Sequence, residues 1–300
     1  AYEIRLSLVG SEMCIKRQAN RYSAVYGILN GTCNYILTTM RETGRSFDDV
    51  LKEAQELGYA EAEPSTDVDG FDAAHKLALM ASVAFGTQID FDSLTVRGIR
   101  RVTADDIRIT NELGYRIKLL GMARRLETGE VEQYVRPVLV SKASSIAAVE
   151  GVLNAVVAQA DPVDQVMTVG RGAGAGPTAS AIVADLVDIA RGCQVPTLGI
   201  PTADLAPSKA ADIDNLTRAV YMNLSVTNEP GVLAQVTAIL GQSQVSIASC
   251  IQPAAKPGEP AALILISHPA RYGHIKQAID KLDALDCCLE PVHMMMIEEL

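Results

Sequence analysis

The chain contains 300 residues, which corresponds to two domains at roughly 100–200 residues per domain. Hydrophobic residues make up 48% of the chain and charged residues 21%, so it can fill a packed core and is not a predominantly disordered protein. The 36 acidic residues against 26 Lys and Arg give a net charge of -10, which argues against a nucleic-acid-binding protein.

The first third of the chain shows one strand pattern followed by three helical patterns. Residues Tyr2–Val9 alternate loosely as in a strand, and helical periodicity begins near Gly31. A second helix is predicted over Phe47–Leu57 and a third over Phe71–Phe85, where an acidic loop leads into the third. Each of these two helices is followed by a glycine, the residue that best tolerates a left-handed helix end.

The middle of the chain predicts a sheet and then a glycine-rich turn. Strands are expected within residues 94–99 and 131–140, and the segment between them has both helical and strand patterns. A further strand, a glycine-rich turn and a helix that starts at a proline are predicted over Gln165–Val169, Gly170–Gly176 and Pro177–Arg191. The sequence therefore predicts a mixed or antiparallel sheet with helices, an α+β fold.

A proline-containing segment over residues 193–215 has little periodicity and is typical of an interdomain linker. The tail then predicts a β-α-β-β-α-β order, with elements over Ala219–Val226, Gly231–Leu240, Val245–Cys250, Ala262–Ser267, Tyr272–Leu285 and Cys288–Met296. This order is the ferredoxin-like split unit, in which a four-stranded antiparallel sheet carries two helices.

Asp72 and Lys76 are spaced by four residues, which places them on one face of the third helix. A carboxylate and an ammonium there can both act on a polar substrate. An ordinary surface ion pair has the same spacing, and spacing alone favours that simpler interpretation.

The turn Gly170–Ala175 matches G-x-G-x-x-A between a strand and a helix, a pattern that can bind a diphosphate. A complete dinucleotide fold also needs several βαβ units and an acidic residue about 20 positions later. The match lies past the middle of the chain, so we interpret it only as the lining of a cofactor site.

The start of the predicted helix after Asn228 can receive a carboxylate through its backbone N–H groups, but Pro230-Gly231 is also ordinary turn chemistry.

Other classes of protein have little support. The apolar runs are far shorter than the ~18 residues that span a bilayer, and no basic segment leads into an apolar leader, so a soluble protein is expected. The six cysteines lack C-x-x-C spacing and indicate reduced thiols in a cytoplasm. The four histidines show no paired helical spacing, so we expect no metal site.

Several segments together resemble the homoserine dehydrogenase family. They are Tyr26–Leu37 (YGILNGTCNYIL), Ala54–Pro64 (AQELGYAEAEP), Asp67–Lys76 (DVDGFDAAHK) and Gly170–Ser180 (GRGAGAGPTAS). The resemblance covers about residues 17–192 and keeps these motifs in order. The tail, residues 216–300, resembles an ACT regulatory domain.

The resemblance implies an enzyme that interconverts L-homoserine and L-aspartate 4-semialdehyde with NAD or NADP, in threonine and methionine biosynthesis. It implies that Lys76 transfers the proton at the reacting oxygen, with Asp67 supporting the catalytic site. It assigns substrate binding to Glu61, Asp72 and Thr32. The residues that it places against the cofactor are Gly58, Gly174 and Gly176.

Residues 1–16 do not follow the family, so we expect the glycine-rich nucleotide-binding domain to be missing and the isolated chain to be inactive or poorly active. The alternative is a non-catalytic amino-acid sensor that kept the ACT domain and a vestigial dehydrogenase domain. For the ACT domain, the resemblance implies a homodimer or homotetramer with L-threonine as effector. The residues expected at the effector are Asn228, Gly231, Val232 and Leu233.

Overall fold

The chain folds into two units of mixed helix and strand content. The structure is a computed structural model that describes residues 20–192, 196, 198–256 and 259–300. The first unit contains the described residues up to Ala104 together with Lys118–Arg136 and Ala143–Ala211. The second contains Asp105–Ile117, Pro137–Lys142 and Asp212–Leu300. The predicted strand at Tyr2–Val9 lies outside the described residues.

The helices of the described residues are α1 (Gly31–Thr43), α2 (Phe47–Glu56), α3 (Ser65–Val68), α4 (Phe71–Phe85), α5 (Ala104–Glu112), α6 (Ala175–Ala190), α7 (Val232–Gln242) and α8 (Tyr272–Asp283). The strands are β1 (Arg21–Ile28), β2 (Thr95–Val96), β3 (Tyr115–Arg125), β4 (Val131–Ser141), β5 (Leu153–Asp161), β6 (Asp164–Arg171), β7 (Thr217–Val226), β8 (Ile247–Ile251), β9 (Ala261–Ser267), β10 (Ala270–Arg271) and β11 (His293–Glu298).

The helices predicted in the first third are confirmed, and their ends follow from local chemistry. The Asn30 side chain caps α1 by accepting a hydrogen bond from the backbone N–H of Cys33. Ser46 caps α2 in the same way. Helix α4 ends at Gly86, whose φ of 67° is favourable for glycine and costly for other residues.

The sheet of the first unit has the order β6-β5-β1-β3-β4. Strand β1 runs antiparallel to β3 and β5, whereas β2 runs parallel to β4, so the predicted mixed sheet is confirmed. Helix α4 packs on β1 and α1 packs on β5, and the core between them is aliphatic and contains Ile28, Ile36 and Leu77. A Cβ at Gly27 would lie 2.1 Å from the carbonyl oxygen of Ala155, so these two strands pair only with glycine at this position.

The second unit contains the predicted β-α-β-β-α-β order, formed by β7, α7, β8, β9, α8 and β11. Its strand order is β11-β7-β9-β8, with antiparallel pairing throughout, and α7 packs against α8. The last strand begins at His293 and not at Cys288 as predicted. Cys288 still forms an isolated antiparallel bridge to Val226 of β7, flanked by the bonds from Thr227 to Cys287 and from Leu289 to Ser225, but continuous pairing with β7 begins only at His293.

Two segments from the middle of the chain also belong to the second unit. Residues 137–142 are among them because the end of β4 pairs in parallel with β11, and residues 105–117 contain most of α5. Sequence order gives no sign of such pairing, so the prediction placed both segments with the first unit. In the segment predicted as a linker, Ala206 and Ala210 form bridges to Thr87 and Val131 of the first unit.

Helix α6 has no buried residue. It begins two residues before the predicted start, so Pro177 occupies its third position. Ile182, Leu186 and Ile189 are 55%, 59% and 72% exposed.

Among the described residues, no helix combines the length and the apolar character needed to cross a bilayer.

Candidate active site

Asn30 lies where β1 leads into α1 and connects two acidic residues. Its Oδ1 accepts the backbone N–H of Cys33 at 2.9 Å. Its Nδ2 donates to Oδ1 of Asp67 at 2.7 Å and to Oδ2 of Asp72 at 2.9 Å. The residue itself is 5% exposed, so the two carboxylates are held by a buried amide.

Lys76 completes this group of polar residues from the second turn of α4. Its Nζ donates to Oδ2 of Asp72 at 2.7 Å and to the carbonyl oxygen of Leu29 at 3.2 Å. The side chain of Lys76 is 50% exposed and that of Asp72 is 29% exposed, so solvent and small solutes can reach both. The structure thus brings together three predicted residues, Asp67, Asp72 and Lys76.

Asp69 and Glu63, two further carboxylates of the acidic loop, have separate partners. Arg100 donates to both oxygens of Asp69, at 2.6 and 3.2 Å. Glu63 accepts hydrogen bonds from the hydroxyl and the backbone N–H of Ser65, which lower the pKa of its carboxyl. Lys76 pairs with Asp72 and is the one cation that the described residues place at the two carboxylates of Asp67 and Asp72, so the excess negative charge suits a cationic group such as an amino acid's ammonium.

The loop that carries Gly58 and Glu61 is attached to the start of α1. The Thr32 hydroxyl donates to the carbonyl oxygen of Tyr59 at 2.6 Å. Gly58 has a φ of 75°, and Glu61 is exposed, with its backbone carbonyl accepting from Gln55 at 3.0 Å. The side-chain oxygen of Thr32 thus fixes the loop, while the Glu61 side chain extends into solvent.

Asn154 connects the glycine-rich turn with the carbonyl group that Lys76 contacts. Its Nδ2 donates to Leu29 O at 3.1 Å, the same oxygen that accepts from Lys76. A Cβ at Gly172 would lie 2.7 Å from that Nδ2, so the turn approaches Asn154 as closely as glycine allows. Gly174 begins α6 with a φ of 110°, and open space surrounds a Cβ built at Gly176.

Cys33 and His75 both make packing contacts near the start of α4 or the residues before it. Burial, together with the nearby carboxylates of Asp67, Asp72 and Asp69, raises the pKa of Cys33 well above its ordinary value. Its thiol donates to the carbonyl oxygen of Asp67 at 3.2 Å, so it is a packed thiol. The His75 ring stacks on Phe91 with centroids 4.8 Å apart.

The four residues expected at an effector lie around the start of α7. Asn228 and Gly231 are exposed, and Gly231 has a φ of 95° at the helix start. Val232 is buried, and Leu233 is 42% exposed. Asn228 and Gly231 thus lie in an exposed turn ahead of the helix, and Val232 and Leu233 are its first two residues.

Asp106 is a fully buried carboxylate that sequence reasoning missed. Its Oδ1 accepts from the Tyr221 hydroxyl and from Nδ2 of Asn223, each at 2.8 Å, and its Oδ2 lies 3.0 Å from Nδ1 of His293. Burial and the Asp106 charge raise the pKa of Tyr221. This cluster joins α5 to β7 and β11 within the second unit.

Asn30 and Asn154 were also missed as site residues. Asn30 has a signal in the sequence, because asparagine directly before a helical pattern is a preferred N-cap and its amide nitrogen remains free for another partner. Asn154 has no such signal, since its neighbours are fixed by strand pairing.

Across the described residues, no group of three or more His, Cys, Asp or Glu side chains has a metal-binding arrangement.

Comparison with known proteins shows which family the chain resembles in sequence. The sequence profile of homoserine dehydrogenase matches residues 12–187, more than half of the chain. Homoserine dehydrogenases of Neisseria gonorrhoeae and Pseudomonas aeruginosa are each 43% identical to the chain, over 288 and 289 residues respectively. Each match covers 94% of this chain and 66% of the relative.

Solved structures give the same result. The crystal structure of a homoserine dehydrogenase from Thiobacillus denitrificans matches with a TM-score of 0.87 and 41% identity, covering 97% of this chain and 67% of that one. A hyperthermophilic archaeal homoserine dehydrogenase in complex with NADPH matches with a TM-score of 0.50 and 27% identity, covering 63% of this chain and 53% of that one. The chain thus spans just under two thirds of the length of the curated relatives. By profile, sequence identity and fold, the chain belongs to the homoserine dehydrogenase family.

Proposed function

We propose that this chain supplies the substrate-binding and proton-transfer part of a homoserine dehydrogenase, an oxidoreductase of threonine and methionine biosynthesis. The proposed reaction interconverts L-homoserine and L-aspartate 4-semialdehyde. The observation that carries the proposal is the cluster in which Asp67, Asp72 and Lys76 meet around the Asn30 amide. Membership of the family supports the same reaction.

The proposed substrate has an ammonium group at one end and a primary alcohol at the other. Asp72 and Glu61 would bind the ammonium by charge-assisted hydrogen bonds, and Asp67 adds negative charge beside them. The Lys76 ammonium, half exposed at its end of the cluster, would stabilise the developing alkoxide and exchange the proton of the alcohol. Thr32 would keep the loop that carries Glu61 in place through its bond to Tyr59.

NAD or NADP would accept the hydride from the alcohol carbon. Glycines at Gly58, Gly174 and Gly176 fit a close approach of such a cofactor, since a Cβ built at Gly58 or Gly176 meets no atom within 4 Å. The link from Gly172 through Asn154 to the carbonyl beside Lys76 directs the glycine-rich turn toward the proton-transfer group. The archaeal relative in complex with NADPH agrees with this cofactor class.

We further propose that the nucleotide-binding domain lies in the third of the relatives' length that this chain does not span. The apolar residues of α6, including Ile182, Leu186 and Ile189, supply a face for such a domain to cover. Hydride transfer requires the nicotinamide to be held against the substrate carbon, so the isolated chain should bind NADPH poorly and turn over little homoserine.

The test compares the isolated chain with a protein extended by the nucleotide-binding domain of a relative. Formation of NADPH from NADP with L-homoserine should appear only in the extended protein. NADPH fluorescence titration of both proteins separates failure of cofactor binding from failure of catalysis. Firm NADPH binding by the extended protein without turnover would contradict the proposed reaction and favour the non-catalytic sensor.

For the second unit we propose an ACT regulatory role with L-threonine bound by Asn228, Gly231, Val232 and Leu233. The β-α-β-β-α-β topology supports this role, and β8 at the sheet edge offers an edge for pairing with a second copy. Light scattering should find a homodimer or homotetramer at micromolar concentration. Millimolar L-threonine should raise the melting temperature, and a monomer that threonine leaves unchanged would contradict the role.

A further inference from the structure

The Asn30 side chain has a fixed orientation in the fold. A primary amide offers two N–H donors and one carbonyl acceptor. At Asn30 the acceptor caps α1 through Cys33, and the nitrogen donates to Asp67 and Asp72. Exchanging the oxygen and nitrogen would place the amide oxygen against two carboxylates, so the orientation that caps the helix is also the one that binds both acids.

We propose that Asn30 is a positioning residue that holds the carboxylates of Asp67 and Asp72 together to receive the substrate's ammonium. This inference rests on the proposed function. Two carboxylates at one site repel each other unless a donor or a cation lies between them. Lys76 forms its ion pair with Asp72, whereas the Asn30 amide bonds to both carboxylates.

The consecutive residues Leu29 and Asn30 contact all three members of the polar cluster. The carbonyl of Leu29 accepts from Lys76, and the side chain of Asn30 donates to Asp67 and Asp72. Both residues are at most 5% exposed and follow directly from β1, which pairs on both sides with other strands. The rigid end of β1 therefore fixes groups contributed by two other elements, α3 and α4.

Asn30→Ser separates the positioning role from helix capping, because serine is also a preferred N-cap but lacks the amide that spans both acids. The matched control is Ser46→Ala, which removes the cap of α2 and makes no change at Asp67 or Asp72. We expect Asn30→Ser to raise the calorimetric dissociation constant for L-homoserine at least tenfold. We expect Ser46→Ala to lower the melting temperature and leave that dissociation constant within twofold of the unaltered chain.

A second measurement needs no substrate. Without the amide donors, Asp67 and Asp72 repel each other, so Asp72→Asn should raise the melting temperature when it is combined with Asn30→Ser. When Asp72→Asn is made alone, it removes the ion pair with Lys76 and should not raise the melting temperature. This difference between the two backgrounds is the coupling expected for residues in direct contact.

Homoserine binding by Asn30→Ser within twofold of the unaltered chain would overturn the positioning role. An equal effect of Asp72→Asn in both backgrounds would overturn it as well. If the unaltered chain binds no homoserine, the proposed function fails, and the substrate part of this inference fails with it. The stability measurements would still decide whether Asn30 holds the two carboxylates.

Discussion

The ammonium of Lys76 lies 2.7 Å from Oδ2 of Asp72, one helical turn earlier on α4. The i, i+4 spacing alone is that of an ordinary surface pair. Here the same carboxylate oxygen also accepts from the buried Asn30 amide at 2.9 Å, and the ammonium has a second acceptor at Leu29. The pair is therefore part of an organised cluster with a fixed position relative to the sheet.

Lys76→Ala, made in a protein that includes the nucleotide-binding domain, should lower turnover about 10²–10⁴-fold, the contribution of a well-placed proton-transfer group. The Michaelis constant should change much less, because the substrate ammonium is bound by the carboxylates. Steady-state kinetics with L-homoserine measure both quantities. Lys52→Ala, at an exposed position on α2, is the control. Undiminished turnover in Lys76→Ala would contradict the role of Lys76 in proton transfer.

Gly98→Ala should disturb the loop that carries the acids. A Cβ at this position would lie 2.1 Å from the carbonyl oxygen of Val68 and 2.4 Å from Cα of Asp69, so the backbone must move. We expect a loss of about 1–3 kcal/mol in the free energy of unfolding, as for other overpacked positions, and weaker homoserine binding. Gly170→Ala is the control because a Cβ there meets nothing within 4 Å. Equal stability of the two variants in urea denaturation would refute the expectation.

Asp106→Ala should destabilise the second unit by at least about 2 kcal/mol, because each buried polar group left without its partner costs about 1–3 kcal/mol. Tyr221 and Asn223 would lose a carboxylate acceptor. Asp105→Ala, whose 76% exposed side chain pairs with Arg108, should change stability by less than about 0.5 kcal/mol. Urea denaturation of both variants tests the difference, and similar midpoints would argue against a structural role for the buried cluster.

Glu150 should contribute to the acid sensitivity of the first unit. Burial acts to raise the pKa of its carboxyl, but the Lys118 charge and hydrogen bonds from Arg41 and Thr38 outweigh burial and hold the pKa below its ordinary value. A folded-state pKa below the unfolded one stabilises the fold above the unfolded pKa, and this contribution is lost as the pH falls through the folded pKa.

The melting temperature of the unaltered chain should therefore fall more steeply on acidification than that of Glu150→Gln. Glu56→Gln, at an exposed position at the end of α2, should keep the steep dependence. Identical pH profiles for the unaltered chain and Glu150→Gln would show that this carboxyl adds nothing to acid sensitivity.

Local patterns in the sequence predicted most of the elements, because periodicity, caps and glycine ends act over a few residues. The helix over Phe71–Phe85 and its end at Gly86 are examples. The start of β11 was misplaced because Cys288 forms only an isolated bridge to β7 and continuous pairing begins at His293. The point at which this pairing becomes continuous depends on a strand about 60 residues earlier, which no local pattern shows.

The site was predictable to the extent that its residues share a motif. Asp67, Asp72 and Lys76 lie within ten residues and could be named together. Asn30 and Asn154 reach the same cluster from distant parts of the chain, through the end of β1 and the start of β5. Their contribution depends on strand pairing, which the linear sequence does not display.

The most direct test of the account is calorimetric titration of the chain with L-homoserine and with 4-hydroxybutanoate, which keeps the alcohol and the carboxylate but lacks the ammonium. Because the carboxylates of Glu61, Asp67 and Asp72 are proposed to attract the ammonium, we expect homoserine to bind. We expect the dissociation constant of 4-hydroxybutanoate to be at least tenfold higher. Glu61→Gln should weaken homoserine binding and reduce the difference in affinity between the two ligands, because it removes one charge partner of the ammonium. Equal affinity for the two ligands, or homoserine binding that Glu61→Gln leaves unchanged, would contradict the account.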